Sequence, residues 1–191
     1  MDWKEVDPDI RLRSLSDALQ RTDYLTAIRV TANLMLGVRI YALRKCIDVV
    51  MAHVSSDSKE VGGLLLGEVW LLKNAGVQEN TRPLVILIEA VSSADYHNTS
   101  VSLKMGTDLW DRASAQSSAE RIVVGWYHSH PNLGAFFSGT DRRTQRAFFT
   151  QPYSLGMVID PFRGERKVFV GQDSEEYRLP ILELDHGLAM A

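Results

Sequence analysis

The chain has 191 residues, 24 acidic against 21 basic side chains and a formal net charge of -3, a length that suits one domain or one domain plus an extension. So balanced a charge gives no support for a nucleic-acid partner. A single cysteine, Cys46, excludes an intrachain disulfide framework and any Cys-rich zinc module, and fits a reducing compartment.

The N-terminus, M-D-W-K-E-V-D-P-D, is acidic and lacks the apolar core of a secretory signal, and no apolar run approaches membrane-spanning length. A soluble, cytoplasmic protein is the expectation. Leu12, Leu15, Ala18 and Leu19 recur at helical spacing, and Ala27, Ile28 and Val30 form a second apolar patch, so residues 1–33 read as an N-terminal helical extension. Residues 34–40 read as a first strand. From Tyr41 to Val54, Leu43, Ile47, Val50 and Val54 fall at i, i+4, i+7 and i+11 and predict an amphipathic helix. Cys46 and His53 share one flank of it, and packing and a surface hydrogen bond account for them without a catalytic pair.

Ser55 to Ser58 end that helix, and a strand is predicted from Val61 to Leu72. Its Gly62, Gly63 and Gly67 imply close approach of backbone or ligand, or a bulge. Lys73 to Gly76 mark a turn, and the apolar run Leu84 to Val91 reads as the next strand of an antiparallel meander. Ser92 to Gly106, with Val101 and Leu103 alternating and His97 reading as exposed, connects it to a helix predicted over Thr107–Glu120.

The chemistry is concentrated between Val124 and Arg146. Ile122 to Tyr127 is a β-branched and aromatic run, so His128 and His130 fall at the end of a strand, where side chains two apart share one face. Ser138-Gly139-Thr140-Asp141 reads as a helix start, with Ser138 as N-cap and Asp141 in the first turn. Two imidazoles and a carboxylate make a mixed nitrogen and oxygen set that suits Zn²⁺ and leaves a fourth position for water. The alternative is that Ser138 and Asp141 merely cap a helix while the histidines satisfy buried hydrogen bonds. Further on, Arg142, Arg143 and Arg146 form a basic patch that reads as a solvated face or a substrate contact. Leu155 to Asp160 and Lys167 to Val170 read as paired strands around the turn Pro161 to Glu165, and residues 172–191 as a tail without a motif.

His128-Ser129-His130-Pro131, Ser138 and Asp141 resemble the JAMM (MPN+) metalloprotease motif, H-[ST]-H-P-x6-S-x2-D. Glu60, in E-V-G-G-L-L-L-G, matches the upstream glutamate segment that the family also requires, ahead of its competitor Glu68. G-W-Y-H-S-H-P and S-G-x-D-x-x-T-Q are similar to the wording of the proteasome-lid and signalosome isopeptidases. The resemblance covers roughly residues 36–171 and implies an α/β fold, a mixed sheet flanked by helices in the deaminase-like αβα architecture. It implies a metallopeptidase domain over 34–171, of compact, stand-alone prokaryotic type. Thr150 to Ser154 leave no room for a long second insertion.

The resemblance further implies one Zn²⁺ per chain on His128, His130 and Asp141, with Glu60 passing a proton from water to the leaving amine and Ser138 hydrogen-bonding the oxyanion. Ser129 points away from the histidines on an ideal strand and has no nucleophilic role. The implied partners are ubiquitin or a ubiquitin-like protein and its conjugates, cut after the C-terminal glycine, together with activating and conjugating enzymes of that pathway. The segment 92–106 occupies the place where relatives hold a ubiquitin tail by β-augmentation. Two alternatives stand beside this: a processing peptidase for a ubiquitin-like or sulfur-carrier precursor, and a non-catalytic scaffold of the same fold.

Overall fold

A computed structural model of the protein describes residues 15–70, 83–93 and 106–188. The expected turn at Lys73 to Gly76, the segment 94–105 with His97, and residues 1–14 lie outside the described residues. Among the described residues no helix is long and apolar enough to cross a membrane.

Helices α1 (Leu15–Arg21) and α2 (Tyr24–Met35) lead into β1 (Ile40–Leu43) and α3 (Arg44–Val54). After β2 (Gly62–Trp70) and β3 (Leu84–Ser92) come α4 (Thr107–Gln116), β4 (Ile122–Ser129) and α5 (Gly139–Phe148). The chain closes with β5 (Leu155–Asp160), β6 (Glu165–Val170), β7 (Glu175–Tyr177) and β8 (Leu182–Leu184). The strands form one mixed sheet in the order β7-β6-β5-β4-β2-β3-β1-β8. β1 runs parallel to β3 and β8, and β4 parallel to β5, while the remaining neighbours are antiparallel.

Two apolar clusters lie on the sheet's two faces. Ile47, Val50 and Val54 of α3 pack with Leu65, Ile86 and Tyr127, and α2 joins this side through Val30. On the other, Leu109 and Ala113 of α4 meet Leu64, Leu66, Trp126, Phe137 and Phe149. Covering both faces explains why the central strands read as unbroken apolar runs. The pairing of β2 with β4 shifts register opposite Leu65 and Leu66, leaving Val124 as the extra residue of a bulge. Beyond it, Trp126 and His128 share the face that looks toward α5. Gly63 is required by crowding, since a Cβ there would lie 2.3 Å from the Val91 carbonyl oxygen and 2.7 Å from the Tyr127 ring.

Several expected elements are corrected. Residues 34–40 do not form the first strand: α2 continues to Met35, and Gly37, at φ +89°, turns the chain before β1. Tyr41 to Leu43 belong to that strand and not to the following helix. All four residues of β1 are buried, so its sequence carries neither period. The helix expected to reach Glu120 stops at Gln116, where the Ser118 hydroxyl accepts the backbone N–H of Glu120 and Arg121 and turns the chain into β4. The motif-free tail supplies both sheet edges, β7 beside β6 and β8 beside β1.

Candidate metal centre

The sheet and α5 bring together the three residues that sequence spacing had grouped. His128 lies near the end of β4, and His130 just beyond it, its backbone N–H donating to Ile159 at 2.8 Å. Their Nε2 atoms face each other at 3.1 Å. Asp141 approaches from the first turn of α5, its Oδ1 3.3 Å from His128 Nε2 and its Oδ2 3.7 Å from His130 Nε2. All three side chains are buried.

Ser138 and Asp141 cap the helix reciprocally. The Asp141 backbone N–H donates to Ser138 Oγ at 3.2 Å, and the Ser138 N–H donates to Asp141 Oδ2 at 2.6 Å. The capping alternative is therefore realised, but together with the cluster and not instead of it. One carboxylate oxygen holds the helix start while the other is turned toward His128. Burial opposes the charge of Asp141, yet the hydrogen bonds from His128 and Ser138 outweigh it and hold the carboxyl at about 2.

The donor set fits a small divalent ion. Ligands about 2.0–2.2 Å from a tetrahedral zinc lie about 3.3–3.5 Å from one another, and the observed separations of 3.1, 3.3 and 3.7 Å bracket that value. Ligand atoms of His128, His130 and Asp141 all fall within 4.8 Å of one another, a group able to hold a metal.

Glu60 stands at the entry to β2 with its Oε1 3.9 Å from His130 Nε2 and its side chain about one-third exposed, at 32%. Burial raises its pKa, His128 counters this, and Asp141 adds to it. Glu68 sits toward the other end of β2, where its Oε2 accepts the Trp70 indole N–H at 3.1 Å. The registers show how Glu60 arrives: Gly62 pairs with His128, and the Ser129 backbone N–H donates to the Val61 carbonyl at 2.8 Å while the Val61 N–H donates to the Ser129 side chain.

Ser129 points away from the histidines, as expected, and it is buried. Its Oγ accepts the Val61 N–H at 2.9 Å, tying the end of β4 to the segment that carries Glu60. His53 departs from the expected surface role. Half-buried, its Nδ1 meets the Tyr127 hydroxyl at 2.9 Å, which also reaches Ser92 Oγ at 3.0 Å. Cys46 is buried packing, its thiol pushed up to about 12 by desolvation. The basic patch is partly engaged: Arg142 donates to the Ser174 carbonyl at 3.2 Å and lies over Phe169, and Arg143 donates to Thr140 Oγ1 at 2.9 Å.

Asp160 was missed. It is fully buried at the end of β5 and accepts the backbone N–H groups of Asn132 (3.1 Å), Gly134 (2.8 Å), Phe162 (3.0 Å) and Arg163 (3.2 Å). Burial works against its charge, but these four donors hold its carboxyl below the ordinary carboxylate range. Asp160 thus stitches the loop after His130, with Asn132 at φ +61° and Gly134 at φ +87°, to the β5–β6 turn. The available signal was an acid closing an apolar strand ahead of a proline.

The fold and this cluster define a mixed-sheet α/β domain with a histidine-histidine-aspartate centre. Residues 43–166 match the family described as prokaryotic homologues of the JAB domain, and the chain belongs to that family. It is 34% identical over 113 residues to the 26S proteasome non-ATPase regulatory subunit 14 of Dictyostelium discoideum, covering 56% of this chain and 33% of that protein. It is 31% identical over 109 residues to a ubiquitin carboxyl-terminal hydrolase of Saccharomyces cerevisiae, covering 54% and 32%. With subunit 5 of the COP9 signalosome complex of Drosophila melanogaster it shares 30% identity over 134 residues, covering 66% and 37%. The matched region spans about a third of the length of these relatives.

Proposed function

We propose that the protein is a zinc-dependent peptidase that cleaves after the C-terminal glycine of ubiquitin or a ubiquitin-like protein, in an isopeptide or precursor bond. The observation that carries this is the convergence of His128, His130 and Asp141 with Glu60 alongside. The ubiquitin-like substrate is supported by the similarity to the yeast ubiquitin carboxyl-terminal hydrolase.

A Zn²⁺ held by His128, His130 and Asp141 would polarise the scissile carbonyl and lower the pKa of water at its open position to about 7. The Glu60 carboxylate accepts the proton of the attacking water and returns it to the leaving amine. A carboxylate placed within reach of that water can serve in both transfers, as general base and then as general acid. Ser138 Oγ accepts from the Asp141 N–H, which leaves its own O–H free to donate to the developing oxyanion. Trp126, Phe136 and Phe137, packed against the histidines, shield the centre from bulk water. We place the protein in the cytoplasm, where its single buried thiol stays reduced.

Zinc titration of the metal-free chain tests the centre directly. One equivalent is expected to bind the wild type, and His128→Ala and Asp141→Ala are expected to lose stoichiometric uptake. Equal uptake by wild type and both variants would place the ion elsewhere.

A further inference from the structure

The His128 ring touches neighbours on both β4 and α5, the Trp126 indole and the Asp141 carboxylate. The Trp126 indole lies flat against the imidazole, centroids 4.6 Å apart and planes within 9°. A metal-bound histidine commonly donates its second ring N–H to a carboxylate or a carbonyl, which fixes the ring's orientation. Among the described residues no side chain or backbone group hydrogen-bonds His128 Nδ1, and the stacked indole is the neighbour that lies against the ring face.

The indole is itself fixed. Trp126 Nε1–H donates to Gln145 Oε1 at 2.7 Å, and Gln145 is fully buried on α5. Gln145 Nε2 donates to the Gly171 carbonyl at 3.2 Å, which turns the amide so that its oxygen faces the indole. Gln145 follows Asp141 by one helical turn, and both are buried residues of α5. One helix therefore reaches His128 twice, directly through Asp141 and indirectly through Gln145 and the indole. β5 leaves room for this bond: a Cβ on Gly156 would come within 2.9 Å of Trp126 Nε1 and 3.0 Å of Gln145 Oε1.

We propose that Gln145, acting through the Trp126 indole, is a positioning residue for His128 that sets the plane of the imidazole and with it the affinity and geometry of the metal centre. This rests on the reading of His128, His130 and Asp141 as a zinc site. Gln145 touches neither ion nor substrate. Its influence is on ring orientation, of the kind that outer-sphere partners of metal ligands exert, where loss weakens binding by about 10- to 100-fold.

The test uses the full chain with Zn²⁺ alone, by competition against a chromogenic chelator, and with Co²⁺ alone, by its visible absorption. The variants are Gln145→Met, close in volume but lacking the amide, Trp126→Phe, which keeps a ring but removes the N–H, and the double variant. Each single change is expected to weaken zinc binding about tenfold and to shift the cobalt band. The double variant should bind no more weakly than the worse single, because both changes remove one bond.

Wild-type affinity and an unmoved cobalt band in Gln145→Met, with only a lower melting temperature, would overturn the proposal and leave the zinc site standing. Losses that multiply in the double variant would also overturn it. A wild type that takes up neither ion would remove the zinc site itself, and the proposal with it. Should Gln145→Met fail to fold, Trp126→Phe decides on the same readouts, wild-type affinity and band there overturning the proposal.

Discussion

Ser129 Oγ accepts the backbone N–H of Val61 at 2.9 Å, and this bond joins the end of β4, between the two histidines, to the residue next to Glu60. The serine between the histidines thus faces away from them to hold the glutamate's backbone. Ser129→Ala leaves a buried N–H without its partner and is expected to cost about 1–3 kcal/mol of stability. Zinc content should stay near that of the wild type while turnover falls, and Ser129→Thr should restore stability and turnover. Thermal unfolding, metal analysis and kcat on the three proteins check it.

Ser138 caps α5, and its proposed second task at the oxyanion is read separately, through kcat and not through stability. Ser138→Ala removes the N-cap of α5, worth about 1 kcal/mol. It also removes the hydroxyl assigned to the oxyanion, for which a loss of about 10²–10³ in kcat is expected. A kcat within a fewfold of wild type would reduce Ser138 to a helix cap.

Asp160 gives a third prediction, because its four backbone donors shape the loop that follows His130. Asp160→Ala is expected to lower the melting temperature and to weaken zinc binding by about tenfold or more, as loss of an outer-sphere support does. Chelator competition on the folded variant measures the second effect. Unchanged affinity would confine Asp160 to folding.

His53 makes stability depend on pH in a defined direction. Burial lowers its pKa below 6.5 in the folded protein, so the unfolded chain binds a proton more readily as pH falls through that value. Its contribution is present above pH 6.5 and lost below it. Asp141, lowered from 3.8 to about 2, acts in a separate and more acidic window. His53→Gln is therefore expected to flatten the fall in stability between about pH 7 and 5, measured by denaturant titration of the metal-free protein. His130, also lowered, is common to both proteins and cancels in the difference.

Local patterns and nonlocal pairings divided what the chain revealed of itself. The strand before His128 was visible in its β-branched run, and the start of α5 in Ser138 and Asp141, since a capping box and a two-residue period involve only near neighbours. β1 was hidden because Ile40 to Leu43 are buried on both sides and carry no alternation. β7 and β8 were hidden because three-residue edge strands bury too little to leave a pattern. The site divides the same way. Spacing grouped His128, His130 and Asp141, which converge in the fold, and the resemblance singled out Glu60, which lies 3.9 Å from His130 Nε2. The supporting bonds were not: Asp160 meets Asn132 across 28 positions and Trp126 meets Gln145 across 19, separations that no local rule connects.

The most direct measurement is zinc content and cleavage of a panel of ubiquitin-like C-terminal fusions by the wild type and Glu60→Gln. Zinc near one per chain is expected in both, with cleavage by the wild type and a loss of about 10²–10⁴ in rate in the variant. Absence of stoichiometric zinc from both proteins, or equal cleavage by both, would contradict a metallopeptidase that uses Glu60 as its base.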